Sequence, residues 1–430
     1  MERRMAGRRN KSLRGTMWNS CHDDNGLAEV WWGCGLAERR RRVKRSGPST
    51  GLMVYGLGLA GLGTALLGPI LPLLARQWQM QDAQSGLLMT AKFCGAFLGG
   101  VTVQRNLRRS LVVGMAAGVV GFGGFAYAPG MGWGLVALFV GGYGLGQLIT
   151  ATNILAGRRF TRHRGSALAA LNFAFSLGAM LSALLAAWLL PVFALRTVLV
   201  GFAGMFGVGG GWLLVELRGG GAEVELLTEI PVATGEGQGL GWRAYVYFAA
   251  LLVLYGGLET CLSGWLTTYA LRYGDKTLVV SEYTTLLLWM ALTVGRAGSS
   301  VVMLRVGEQA VQRISLVLAA VFTAGLAVAH TAVGIAGCAV LLGLSLAPFF
   351  PATFALLMAE RPTARQAGVV LAVSGLGAAA LPWLMGVVST RAGSLQVALG
   401  LPLGAAVVLL GLAVAAKRTQ RSGAVGLAQE

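Results

Sequence analysis

The chain has 430 residues, 55% of them apolar and only 12% charged, with a mean hydropathy of +0.66. A soluble domain carries roughly a quarter charged residues, so a bilayer is the natural solvent for this composition. A formal charge of +18 would otherwise suggest nucleic acid or an anionic surface as partner. The apolar content excludes disorder, and the lack of a Gly-X-Y period excludes collagen despite 65 glycines.

Residues 1–49 hold 12 Lys and Arg against five acids. They read as a basic, disordered cytoplasmic extension: a dispensable leader, a polybasic arm on anionic lipid, or the product of an upstream start, with Met53 opening the first helix. The first apolar run begins near Gly51, too late for an ordinary signal peptide. Cys21, Cys34, Cys94, Cys261 and Cys338 are odd in number and widely spaced, which fits neither a disulfide framework nor a zinc site. No cofactor and no metal are implied, and nothing resembles a phosphate loop or a catalytic triad.

A bilayer core of about 30 Å needs about 20 apolar residues per helix. Twelve segments qualify: 51–75, 86–104, 111–130, 132–157, 166–190, 196–215, 244–271, 281–304, 314–330, 332–359, 367–389 and 396–416. The longest internal break falls between the sixth and seventh and is rich in Gly and Glu, as a flexible linker would be. The expected divisions are a six-helix half over 50–215, a central cytoplasmic loop over 216–243, a second half over 244–417, and a tail over 418–430. The halves repeat at an offset of 200 residues. The stretch from Gly100 to Arg109 matches that from Ser300 to Gln309, and Leu171–Ala179 echoes Leu371–Ala379. Parallel duplication of six-helix halves is a transporter pattern.

The side of the membrane holding both termini receives 28 Lys and Arg in its loops and the other side five, while Lys92 and Arg296 lie within spans. The positive-inside rule therefore puts both termini in the cytoplasm. The charge sets topology, and no nucleic-acid role is needed. The protein is expected to be a multi-pass protein of the plasma (inner) membrane.

The loop after the second span, with Gly100, Arg105, Arg108 and Arg109, is similar to the G-x-x-x-D-[RK]-x-G-[RK]-[RK] motif of the major facilitator superfamily. It departs at Gln104 and Leu107, and the second copy keeps Arg305 and Gly307. The run from Leu67 to Pro72 and the pair Gly295-Arg296 also resemble that family, over residues 50–417. The resemblance implies an all-α integral membrane protein with two pseudo-symmetric six-helix bundles. It assigns gating or structural roles to Gly100, Arg105, Arg108, Arg109, Arg296 and Arg305. The seventh span, from Tyr255 to Trp265, resembles the fucose–proton symporter and glucose-transporter-like branch. The fifth span lacks the G-x-x-x-G-P motif of proton–drug antiporters.

Glu259 reads as the one acid deep in a span, with every other carboxylate placed where it reaches water. Tyr255, Glu259, Ser263 and Thr267 recur every four residues, so one helical face should line a cavity between the halves. A carboxylate in hydrocarbon is costly unless paired or protonated, so Glu259 either couples transport to a proton, binds solute, pairs with Lys92, or is held by helix–helix hydrogen bonds. Lys92 either snorkels outward or pairs with Glu259 or an anionic solute. Tyr143, Gln147 and Asn172 offer the donors and acceptors that a polyol needs, and Trp265, Trp289 and Phe349 suit the apolar face of a sugar ring. The expected function is secondary transport of a small polar solute, foremost a sugar, by alternating access in a monomer, with H+ or Na+ symport. An exporter working by proton antiport is the alternative, and a membrane enzyme or non-transporting sensor is the alternative of a different class.

Overall fold

The computed structural model describes residues 48–103, 106–159, 164–218, 239–274, 278–360 and 362–426, and all regular secondary structure in them is helical. The extension up to residue 47, loop residues 219–238 and the end of the tail lie outside the described residues. The first half comprises α1 (Thr50–Ala65), α2 (Leu67–Gln77), α3 (Asp82–Val101), α4 (Leu107–Ala126), α5 (Met131–Arg159), α6 (Arg164–Leu189) and α7 (Leu195–Arg218). The second comprises α8 (Trp242–Tyr273), α9 (Leu278–Val306), α10 (Glu308–Val328), α11 (Ala332–Leu346), α12 (Phe349–Ala359), α13 (Ala364–Ala372), α14 (Ser374–Ala392), α15 (Leu395–Ala398) and α16 (Gly400–Gly426).

Among the described residues sixteen helices make twelve spans because four spans are broken. The first breaks at Leu66, since Pro69 has no N–H for the Ala65 carbonyl. The tenth breaks at Ala347–Pro348, where Pro351 leaves the Ala347 carbonyl without a helical donor. The eleventh breaks at Val373, beside Gly375, and the twelfth at Leu399. Ser49 caps α1 by accepting from the Leu52 N–H, and its own N–H donates to Glu216 Oε2 at 2.7 Å, tying the start of α1 to the end of α7. Across the loop to the second half, the Gln366 amide clasps both the N–H and the carbonyl of Leu240.

Ten of the described helical segments are long and apolar enough to cross a membrane. The other two spans, α3 and α9, hold equivalent places in the two halves. Both carry polar side chains: Ser85, Thr90 and Lys92 on α3, and Glu282, Thr285, Thr293 and Arg296 on α9. Large apolar residues such as Trp133, Trp188, Val208, Val215 and Val333 are exposed. Lipid-facing surface explains that distribution, which water would not tolerate.

The packing is pseudo-symmetric. In the first half α1 lies on α6, α3 on α5, and α4 on α7. In the second, α8 lies on α14, α9 on α11, and α10 on α16. Glycine sets how close these helices come: a Cβ at Gly95 would stand 2.1 Å from the Phe139 carbonyl oxygen, and one at Gly146 2.0 Å from that of Ala96. Between the halves the contacts are α3 with α14, α6 with α9, and α2 with α8.

The two halves are sealed together at one end of the bundle, the Asp82 end. Arg272 on α8 forks onto Asp82 with bonds of 2.7 and 2.5 Å. Ser389 Oγ on α14 donates to the same carboxylate at 2.5 Å, and the Ala83 N–H donates to Thr390 Oγ1 at 2.9 Å. In the sequence Asp82 and Arg272 stand only as charges at the ends of apolar runs. Their opposite sign at helix ends on one side was the signal available.

Candidate functional site

Helical spacing puts Glu282, Thr285, Trp289, Thr293 and Arg296 on one stripe of α9. The stripe follows the seam where α6, α8 and α9 meet. Trp289 packs against Ala65 on α1, Ala179 on α6 and Ala347 at the α11–α12 break, so it bridges the halves. Thr285 shares a 2.6 Å hydrogen bond with Thr267 of α8.

Arg296 is the centre of the stripe's polar contacts. Its Nη2 donates to Glu259 Oε1 at 3.0 Å, and its Nη1 reaches across the seam to Ser176 Oγ on α6 at 2.6 Å. The pair is mostly desolvated, with 15% and 17% of the two side chains exposed. Arg296 Nε and Trp289 Nε1 are buried and have no partner among the described residues. Buried donors are almost always satisfied, so these two stand out as open donors at the seam.

The aromatic residues divide. The Tyr255 ring stacks on Phe349 at 4.5 Å; its hydroxyl donates to the Leu346 carbonyl and lies within reach of both Glu259 and Arg296. Trp265 is buried with its Nε1 on the Pro382 carbonyl, which makes it packing between α8 and α14. Ser263 turns its hydroxyl back to the Glu259 carbonyl at 2.8 Å. Of the expected ring platforms, Trp289 is the one placed at the seam with a free polar edge.

In the first half, Gln147 donates to the Tyr143 hydroxyl at 3.1 Å and to Thr102 Oγ1 at 3.2 Å, while its Oε1 is buried without a partner among the described residues. This cluster joins α5 to the end of α3 and is separate from the Arg296 stripe. Asn172, half-buried on α6, sits one turn from Ser176.

Two sequence expectations are corrected. Lys92 neither snorkels nor pairs with Glu259. It is 2% exposed, and its Nζ donates to the Thr64 carbonyl at 2.5 Å, beside the α1–α2 break. The reason is local: the break turns a polar carbonyl toward α3 that an ammonium can satisfy, while Glu259 is already held by Arg296. Nor is Glu259 the one acid removed from water. Glu282 is 1% exposed, and neither carboxyl oxygen has a partner among the described residues. Its place one turn from the start of α9 read as a wet helix end, but the packing of α9 against its neighbours closes over it.

The arginine loop after α3 contributes no ion pair among the described residues. Arg108, Arg109 and Arg305 are exposed, and Arg105 lies outside the described residues. Asn106 caps α4 through the Arg109 N–H. Gly100 lies close to Thr150 of α5, where a Cβ would stand 3.1 Å from Oγ1.

A family model for the Major Facilitator Superfamily matches residues 53–373, most of the chain. The chain belongs to the major facilitator superfamily. It is therefore a multi-pass integral membrane protein built as a transporter of two six-helix bundles. It is 31% identical over 151 residues to the 4-hydroxybenzoate transporter PcaK of Pseudomonas putida; the match spans about a third of each protein, 33% of this chain and 33% of that one. Among solved structures it is similar to the xylose transporter XylE from E. coli in a partially occluded inward-open conformation, with a TM-score of 0.67, 12% identity, and coverage of 84% of this chain and 96% of that one. It is also similar to FucP in the outward conformation, with a TM-score of 0.57, 17% identity, and coverage of 85% and 97%. At such identities these likenesses establish the fold alone.

Proposed function

We propose that this transporter carries a small organic anion, with Arg296 as the partner of the solute's carboxylate. One observation carries the reading: a mostly buried guanidinium at the seam between the halves, bonded to both, with its Nε and the Trp289 indole N–H about two turns away both unpartnered among the described residues. Guanidinium groups recognise carboxylates through paired N–H donors, and a neutral sugar would leave that charge unused. Glu259 balances Arg296 when the site is empty. A solute carboxylate then takes its place, and the displaced Glu259 is positioned to take a proton. The 4-hydroxybenzoate specificity in the name of the Pseudomonas putida relative fits an aromatic acid, with Trp289 beside its ring.

A neutral polyol such as a sugar is the second reading, favoured by the Gln147–Tyr143–Thr102 cluster with its unpartnered amide oxygen. In either reading the halves rock about the seam in a monomer of the plasma membrane, as H+ or Na+ symport. The arginine-rich loops face the cytoplasm, which makes the Asp82 end the exterior one. Purified protein in proteoliposomes tests this. Uptake of labelled 4-hydroxybenzoate, competed by other aromatic carboxylates and unaffected by a panel of sugars, is expected under an inward proton or sodium gradient. Sugar uptake with no carboxylate competition would reverse the order of the two readings.

A further inference from the structure

Glu282 stands apart from the Arg296 site. It lies on the same stripe of α9 but 14 residues away, about 21 Å along a helix rising 1.5 Å per residue, near the sealed Asp82 end. Its carboxyl is 1% exposed and both oxygens lack partners among the described residues. The charged and titratable groups on the elements packed against α9 are committed elsewhere. From α8, Arg272 forks onto Asp82, Tyr269 donates to the Leu326 carbonyl, and Tyr273 pairs with Ser394. Arg76 on α2 is exposed, Cys338 on α11 is partly buried, and α6 has its one ionisable residue, Arg164, at the opposite end. On α10, Glu308 and Arg313 also lie at the opposite end, and on α9 itself Tyr283 is exposed and Arg296 is held by Glu259. His330 lies in the α10–α11 connection, and Asp275 and Lys276 fall in or beside the undescribed loop before α9.

A carboxylate with no counter-charge and no hydrogen bond among the described residues costs several kcal/mol at such a place. A metal cation would need several oxygen ligands, and among the described residues no cluster of metal-binding side chains occurs. A proton needs one oxygen. We propose that Glu282 is a proton-binding site that licenses closure of the Asp82 end: the halves seal over the protonated carboxyl and part when it is ionised. The balance is simple. Water at the open end delivers one proton to the carboxylate, closure buries the neutral acid, and reopening returns the proton to water. This site stands whether the solute is an anion or a polyol.

The test uses the full chain with its five cysteines replaced and Ser85→Cys added. Ser85 is 1% exposed beside the seal, so its thiol meets solvent when that end opens. Labelling by a membrane-impermeant maleimide is followed from pH 5.5 to 8.5 in proteoliposomes. Each rate is divided by that of the same protein unfolded in detergent, which removes the thiol's own pH dependence. The normalised rate is expected to rise about tenfold with pH, the free-energy equivalent of about 1.4 kcal/mol. Glu282→Gln should label slowly and within about twofold at every pH, and Glu282→Asp should keep the rise. The direction is diagnostic, because loss of the Asp82 charge would open this end as pH falls. A flat profile in the parent overturns the proposal without any variant. So does a Glu282→Gln profile that superimposes on the parent's, or labelling that follows sodium at fixed pH.

Discussion

Replacing Arg296 by lysine keeps the positive charge and removes the fork. The guanidinium reaches Ser176 at 2.6 Å with one arm and Glu259 at 3.0 Å with the other, from opposite halves of the protein. An ammonium carries its three donors on a single nitrogen, so it cannot span these two acceptors as the separate guanidinium nitrogens do, nor present two parallel donors to a carboxylate. A hydrogen bond to a charged group contributes about 1.5–3 kcal/mol. Exposure of 15% and 17% of the two side chains argues for the lower part of that range. At about 1.4 kcal/mol per decade, one lost arm raises the KM for a carboxylate solute roughly tenfold. Removing the charge with Arg296→Gln should abolish uptake, since Glu259 is then left unpaired in the seam, a loss of about 3–5 kcal/mol for a buried pair. The assay is the initial rate of labelled 4-hydroxybenzoate uptake into proteoliposomes at matched protein density, with monodisperse elution as the folding control. An unchanged KM in Arg296→Lys, together with continued uptake by Arg296→Gln, would refute a solute-binding role.

Glu259→Gln is expected to tighten binding of a carboxylate solute, because it removes the competitor for Arg296, while slowing turnover; weaker binding in equilibrium titration would favour the polyol reading. Lys92→Met should leave KM within about twofold, since the ammonium bonds a helix-break carbonyl rather than a seam group; loss of gradient-driven accumulation with KM intact would place it in coupling. Asp82→Asn should weaken the seal to Arg272, whose side chain is 42% exposed, by at most about 1 kcal/mol, and raise Ser85→Cys labelling up to fivefold. Gly95→Leu should prevent folding into a monodisperse protein, because even a Cβ there would stand 2.1 Å from a backbone oxygen of α5.

Hydropathy and charge made the architecture legible. Twelve apolar runs, a 200-residue repeat and an arginine bias between loops are properties of local composition, and the bilayer imposes them segment by segment. Two of the four span breaks precede Pro69 and Pro351, where a missing N–H acts on its own helix, while Pro72 and Pro382 lie inside helices that continue through them. Glu259 and Arg296 were legible as buried charges for the same reason: ionisable residues inside a long apolar run stand out.

Their partnership was not legible. Sequence reading offered Lys92 to Glu259, but which charge meets which depends on how α8, α9 and α6 converge, and that is set by contacts distant in sequence. The tertiary structure alone decided that Arg296 joins the halves through Ser176, that Tyr255 stacks on Phe349 while Trp265 bonds the Pro382 carbonyl, and that Asp82 and Arg272 seal one end. It also decided the fate of Glu282. One turn from a helix start, the sequence places a carboxyl in water; neighbouring helices packed over that turn take the water away. Burial of a side chain is a property of what packs against it, and no periodicity within one helix records it.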